Sequence, residues 1–188
     1  MTNSFWQVPP DSTGKKLDSE QLTVGANSVE RQRVVAMSPA QVNAELGRYF
    51  AAPSADVTAT TAGVVLAVLE NPAGSGKKLY LDFIRAYSNG NNVATQILFN
   101  GTRTGGDAVT PLNLNGGTAS ASVFTTPAIG TLAYTGGTVV SRDRITASTL
   151  VLPFDGKFVL AAGQSIGVVL TPLAATTQNV ANFAWWEI

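Results

Sequence analysis

The stretch that decides the fold is LYLDFIRAY (79–87), SNGNN (88–92) and VATQILF (93–99). Leu79, Leu81, Phe83, Arg85 and Tyr87 alternate with Tyr80, Asp82, Ile84 and Ala86. That is the two-residue period of a strand, whose successive side chains point to opposite faces. The Asn- and Gly-rich run 88–92 reads as a turn, and 93–99 as the strand that returns from it. Upstream, Val64 to Leu69 is almost wholly apolar, as expected of a strand covered on both faces. Downstream, strands fit Val109 to Leu114, Ala119 to Thr125, and Thr131 to Val140 around a Gly136-Gly137 irregularity. Leu150 to Phe154 and Lys157 to Leu160 flank Asp155-Gly156, a two-residue hairpin signal. Ser165 to Thr171 and Val180 to Trp186 follow. About ten short strands separated by Gly, Asn, Pro and Asp turns predict an all-β domain, an antiparallel β-sandwich of jelly-roll type.

The first fifty residues differ in character. They hold ten of the chain's charged groups, whereas the remaining 138 positions hold fourteen. Phe5 and Trp6 precede Val8-Pro9-Pro10, and two prolines favour an extended, polyproline-like course. Leu22 to Val24 and Val29 to Met37 are strand candidates joined by Gly25-Ala26-Asn27, which predicts a hairpin. Ser38-Pro39-Ala40-Gln41 has the form of a helix start, with Ser as cap and Pro at the first helical position. Val42, Leu46, Tyr49 and Phe50 then fall at helical spacing on one expected apolar face. The expected division is therefore an arm over 1–53, made of an extended segment, a hairpin and one short helix, followed by a head over 54–188.

Composition excludes several function classes. The chain has 188 residues, 45% apolar and only 13% charged, with formal net charge zero. So few charges protect a monomer poorly against self-association, which points to a surface covered by partners. Twelve basic residues balance twelve acidic ones, so no surplus of cations exists to hold nucleic acid. There is no Cys and no His, which removes thiol nucleophiles, His general bases and Cys/His zinc sites together. MTNSFWQVPP (1–10) lacks the basic start and apolar core of a signal peptide. No apolar run approaches the ~20 residues that span a membrane. The expectation is a soluble protein made in the cytoplasm.

Motifs that suggest chemistry give way on inspection. Ala73-Gly74-Ser75-Gly76-Lys77-Lys78 evokes a phosphate-binding loop, but Asn71 stands where the first Gly belongs and Lys78 where the metal-binding hydroxyl belongs. A strand follows it rather than a helix, so it reads as a turn. Paired carboxylates for glycoside cleavage would come from Asp56, Glu70, Asp82, Asp107, Asp143, Asp155 and Glu187, which mostly sit in turns or at strand ends. Asn100-Gly101-Thr102 matches a glycosylation sequon and reads better as a turn. Of the adjacent Trp185 and Trp186, one must point inward on a strand, into a core or a subunit interface. The chain is expected to be no enzyme, with no catalytic, cofactor or metal residues.

Two stretches carry a resemblance. Gly14-Lys15-Lys16-Leu17 through Thr23-Val24-Gly25-Ala26-Asn27-Ser28-Val29-Glu30-Arg31-Gln32-Arg33-Val34-Val35 resembles a segment of virion proteins of tailed bacteriophages. Leu160-Ala161-Ala162-Gly163-Gln164-Ser165-Ile166-Gly167-Val168 and Phe183-Ala184-Trp185-Trp186-Glu187 look like the last two strands of trimeric jelly-roll domains in phage decoration, head-fibre and tail proteins. The resemblance implies a virion structural protein, made in the host cytoplasm and located in the particle. Three readings compete. They are a capsid decoration (cement) protein bound to the major capsid protein or another virion protein, a tail or head-fibre module that binds host-surface glycans, and a glycan-degrading enzyme, the weakest of the three. The cement reading expects Phe5, Trp6, Pro9, Pro10, Arg31 and Arg33 of the arm to bind the partner. It places Phe83, Tyr87, Phe183, Trp185 and Trp186 at the subunit interface of a homotrimer.

Overall fold

In a computed structural model the described residues are 19–24, 27–32 and 37–188, apart from 61, 91, 128–130, 174 and 175; side chains are described from residue 37 onward. The chain divides into two compact units, Met1–Met37 and Ser38–Ile188. In the first, β1 (Ser19–Val24) and β2 (Asn27–Gln32) pair antiparallel from Ser19↔Gln32 to Val24↔Asn27. The expected hairpin is present as backbone, with Asn27 inside the second strand rather than in the turn.

The second unit opens on the predicted helix. α1 (Pro39–Glu45) is capped by Ser38, whose hydroxyl accepts from the Gln41 backbone N–H at 3.2 Å. Pro39 occupies the first turn, where its missing donor costs nothing. The helix is shorter than its apolar spacing suggests, and its buried side differs from the expected one. Ala40, Asn43 and Ala44 face the protein, while Val42 and Leu46 are exposed. Tyr49 and Phe50 belong to the next strand, β3 (Tyr49–Pro53), so they share no helical face with Val42. β3 pairs along its length with the last strand of the chain. For that reason helix and β3 are part of the head, and the boundary falls at 37/38 rather than at 53/54.

The remaining strands are β4 (Val57–Ala59), β5 (Val64–Glu70), β6 (Leu79–Ser88), β7 (Val93–Phe99), β8 (Thr102–Gly105), β9 (Asp107–Val109), β10 (Leu112–Asn113), β11 (Val123–Thr126), β12 (Leu132–Thr135), β13 (Thr138–Ile145), β14 (Ser148–Leu160), β15 (Ser165–Pro172) and β16 (Thr177–Glu187). One sheet runs β10-β3-β16-β6-β14, with β4 also on β16; the other runs β13-β7-β15-β5-β11-β9. The long strands form two antiparallel layers, β3-β16-β6-β14 and β13-β7-β15-β5. Their chain order alternates between layers except at β7 and β13, which pair within one layer, and the first and last of them, β3 and β16, lie side by side. That is the strand order of a jelly roll.

Between the layers lies a core of Leu66, Leu69, Leu79, Leu81, Ile84, Ile97, Phe124, Ile166, Phe183 and Trp185, all nearly inaccessible. Trp185 stacks on Phe50 and Phe124 at ring separations of 6.2 and 6.3 Å, and Phe124 meets Phe183 edge-on at 5.2 Å. β5 is covered on both faces, as its apolar run requires. On its outer side the short β8–β12 ribbon lays Leu132 and Tyr134 against Val65 and Val68. The ring of Tyr134 lies so close to Gly167 that a Cβ there would sit 2.7 Å from it.

Two irregularities depart from the expected pattern. In β6 an extra residue, Asp82, has no single partner. The neighbouring registers skip it, from Leu81↔Trp185 to Phe83↔Ala184 on one side and from Phe158↔Leu81 to Pro153↔Phe83 on the other. A bulge of this kind reverses the parity of the strand beyond it. Leu79 and Leu81 point inward, and so do Ile84 and Ala86 of the alternate set, while Phe83, Arg85 and Tyr87 turn outward. The second irregularity is Asp155-Gly156. Both residues are left-handed, with φ 49° and 74°, as in a hairpin turn. Yet the flanking segments run in the same direction along one neighbour, β6, so the feature is a four-residue bulge within β14 and not a hairpin. Phe154 and Phe158 on either side reach the core, and Gly156 lies over Trp186, where a Cβ would stand 2.3 Å from the indole.

Candidate functional site: the outer face of the β3-β16-β6-β14 layer

The registers assemble the solvent side of this layer row by row. Leu112, Ala51, Ala184, Phe83 and Pro153 form one row; Pro53, Asn182, Arg85 and Val151 the next; Val180, Tyr87 and Thr149 a third. Leu112 is 65% exposed, Val151 53% and Tyr87 40%, large values for apolar side chains within paired strands. A groove of about 240 Å³ runs between Leu112, Pro53 and Phe83. Arg85 is the one charged side chain in these rows, and among the described residues it makes no ion pair or side-chain hydrogen bond. Scattered exposed apolar residues are ordinary; a contiguous apolar face is the mark of an interaction surface.

The far end of the same face is closed by the protein itself. Trp186 stacks on Tyr80 at 5.8 Å with planes 3° apart and on Tyr49 at 6.4 Å, and Ala40 and Ala44 of α1 pack over them. The Tyr49 hydroxyl donates to Asp82 Oδ2 at 2.5 Å. Burial, and then this carboxylate, push the Tyr49 hydroxyl well above the usual tyrosine range. Burial raises Tyr134 as well. Both groups keep their protons in the fold at pH values where the unfolded chain releases them. Their contribution to stability is complete below the ordinary value of 10.0 and declines as pH rises beyond it. Urea melts between pH 9 and 11 should show this decline, with a shallower slope in Tyr49→Phe.

The expected interface residues separate into two groups. Phe83 and Tyr87 lie on the open face. Phe183 and Trp185 point between the layers, because their positions in β16 share the inward parity of Ala181, and they are 1% and 0% exposed. Trp186 has the outward parity but is roofed by α1 and is 4% exposed. These three are core residues of the head, with no side-chain surface left for a subunit interface. Of the expected arm residues, Arg31 lies in β2 opposite Glu20. Phe5, Trp6, Pro9, Pro10 and Arg33 lie outside the described residues.

Most of the acidic side chains weighed for catalysis are engaged locally. Glu70 pairs with Arg103, Asp143 accepts from Ser141, and Asp155 pairs with Lys157 at 3.4 Å. Glu187 is buried and accepts from the Ala121 backbone at 2.9 Å, the Ser120 hydroxyl at 2.5 Å and the Trp185 indole at 3.2 Å, tying the 115–122 loop to β16. Among the described residues no cluster of three His, Cys, Asp or Glu side chains is placed to hold a metal ion. The glycine-rich segment 73–78 is a turn organised by buried Asn71, whose Nδ2 donates to the carbonyls of Lys77 and Leu160.

With this geometry in view, no family model matches the chain, and neither curated proteins nor solved structures provide a match. Functional assignment rests on the residues and their arrangement alone.

Proposed function

We propose that the protein is a non-enzymatic structural subunit of a tailed-phage particle, a decoration or cement protein whose head self-associates into a homotrimer and whose N-terminal unit makes the attachment. The observation that carries this reading is the open apolar face of the β3-β16-β6-β14 layer. A head with so little charge and such a face is built to be covered by its own kind, and closed cyclic symmetry is the usual result. The virion assignment follows from the segments resembling phage structural proteins at 14–35, 160–168 and 183–187. Residues 38–188 carry a complete jelly roll with its own core, so removing 1–37 is expected to leave a folded head. That head should retain the oligomeric mass of the full chain but fail to bind particles stripped of this protein. Saturation of such particles by the truncated head at full-length affinity would remove the attachment role from the N-terminal unit.

A further inference from the structure

Away from the apolar face, a second concavity of about 470 Å³ opens at one end of the sandwich. Three connections form it: 71–78 between β5 and β6, 100–101 between β7 and β8, and 161–164 between β14 and β15. They are pinned to one another. The Asn71 backbone donates to the Gln164 carbonyl at 2.8 Å, and Gly163 donates back to the Asn71 carbonyl at 2.7 Å. Gly101 donates to the Tyr134 hydroxyl at 2.8 Å, and its carbonyl accepts from the Ser165 hydroxyl at 3.1 Å. The walls are therefore set before any ligand arrives, which removes most of the ordering cost of binding.

The lining has unused hydrogen-bonding capacity of both signs. Glu70 and Arg103 form an ion pair through Oε2 and Nε, and Arg103 Nη1 also donates to the Gly105 carbonyl. This leaves Glu70 Oε1 as an acceptor and further guanidinium N–H groups as donors. Among the described residues the Thr102 hydroxyl has no partner, and Gln164 uses its Oε1 on the Ala161 amide at 2.8 Å while its Nε2 stays free. Ala73 and Gly163 add small apolar surface. An anionic ligand would meet the Glu70 carboxylate as well as the Arg103 guanidinium, and a cationic one Arg103 as well as Glu70, so neither gains net attraction from the pair. The ligand that suits it is neutral and offers donors and acceptors side by side, as adjacent ring hydroxyls do. The volume falls within the usual ~300–1,000 Å³ of small-molecule sites.

We propose that this cleft binds a neutral saccharide, with one hydroxyl donating to Glu70 Oε1 and its neighbour accepting from Arg103 or Gln164. Binding at this end of the sandwich is separate from self-association and stands whether or not the head is a trimer. Saturation-transfer NMR on the full chain tests it with the methyl glycosides of glucose, galactose, mannose and N-acetylglucosamine, alongside glucuronic acid and glucosamine. At least one neutral glycoside is expected to receive saturation and to outcompete both charged sugars. Ala73→Phe, at an exposed position, should fill the cleft and weaken that binding at least about tenfold. Thr102→Val serves the same purpose if the larger side chain disturbs folding. Transfer to none of the four glycosides, preference for a charged sugar, or undiminished binding in a folded cleft variant would overturn the assignment.

Discussion

Trp185→Ala is expected to lower the stability of the head by about 3–5 kcal/mol, the largest loss available from any single truncation in it. Trp185 is wholly buried, stacks on Phe50 and Phe124, and its indole N–H donates to buried Glu187. Truncation removes the contacts of the largest core side chain. It also takes one donor from a carboxylate that pairs with no cation among the described residues, and a group left short of partners in the interior adds its own cost. Native domains hold roughly 5–15 kcal/mol in total, so the variant should melt far earlier in urea and stay near the edge of folding at 37 °C. A loss below about 1 kcal/mol would mean that Trp185 is not the centre of the core. Trp185→Phe, which keeps most of the apolar volume, should recover much of the difference.

Placing charge on the open face should dissociate the oligomer without unfolding the subunit. Tyr87→Glu and Val151→Glu lie in adjacent rows on neighbouring strands, and both side chains are about half exposed in the isolated subunit. A carboxylate there meets water in the monomer and costs the fold little. Buried against a second copy it would be desolvated opposite apolar side chains, which is unfavourable by several kcal/mol per charge. The expected result in light scattering is a trimer mass for the native chain and a monomer mass for the double variant at micromolar concentration, with unchanged circular dichroism. A native monomer, or a double variant still trimeric, would remove this face from the assembly. Val42→Glu and Leu46→Glu on α1 provide controls at exposed apolar positions of another element.

How much of this was readable in the residues depended on how local the deciding physics was. Alternation and turn residues sufficed for β5, β6, β7, β15 and β16, and the Ser38-Pro39 start located α1 to the residue. Each feature that escaped depended on a neighbour. Parity in β6 reverses at Asp82 because Trp185 and Phe158 pair with Leu81 while Ala184 and Pro153 pair with Phe83. Nothing in LYLDFIRAY marks that step. Asp155-Gly156 has the backbone of a hairpin turn, and only its pairing with β6 shows that the chain continues forward. Phe183 and Trp185 were expected at a subunit interface because composition cannot say which aromatic residues a single sandwich encloses. The open face was half legible: Phe83 and Tyr87 were expected at an interface, whereas Leu112, Pro53 and Val151 join them only through registers across four other strands. The cleft at Glu70 and Arg103 was not legible, since its three connections meet only after the sheets form.

The placement of the last two strands has a bearing on how the protein is made. β16 lies between β3 and β6, and β15 between β5 and β7, so each layer is held together by a strand from residues 165–187. While the ribosome is still translating that segment, β3 and β6 have no common neighbour, and neither do β5 and β7. The nascent chain can form the local β6–β14 and β7–β13 pairs, but the two layers close only when the final strands slide into their centres. Pairings this distant in sequence are slow to form. The apolar face made by Phe83, Tyr87 and Val180 therefore does not exist as a surface until synthesis of this segment is complete.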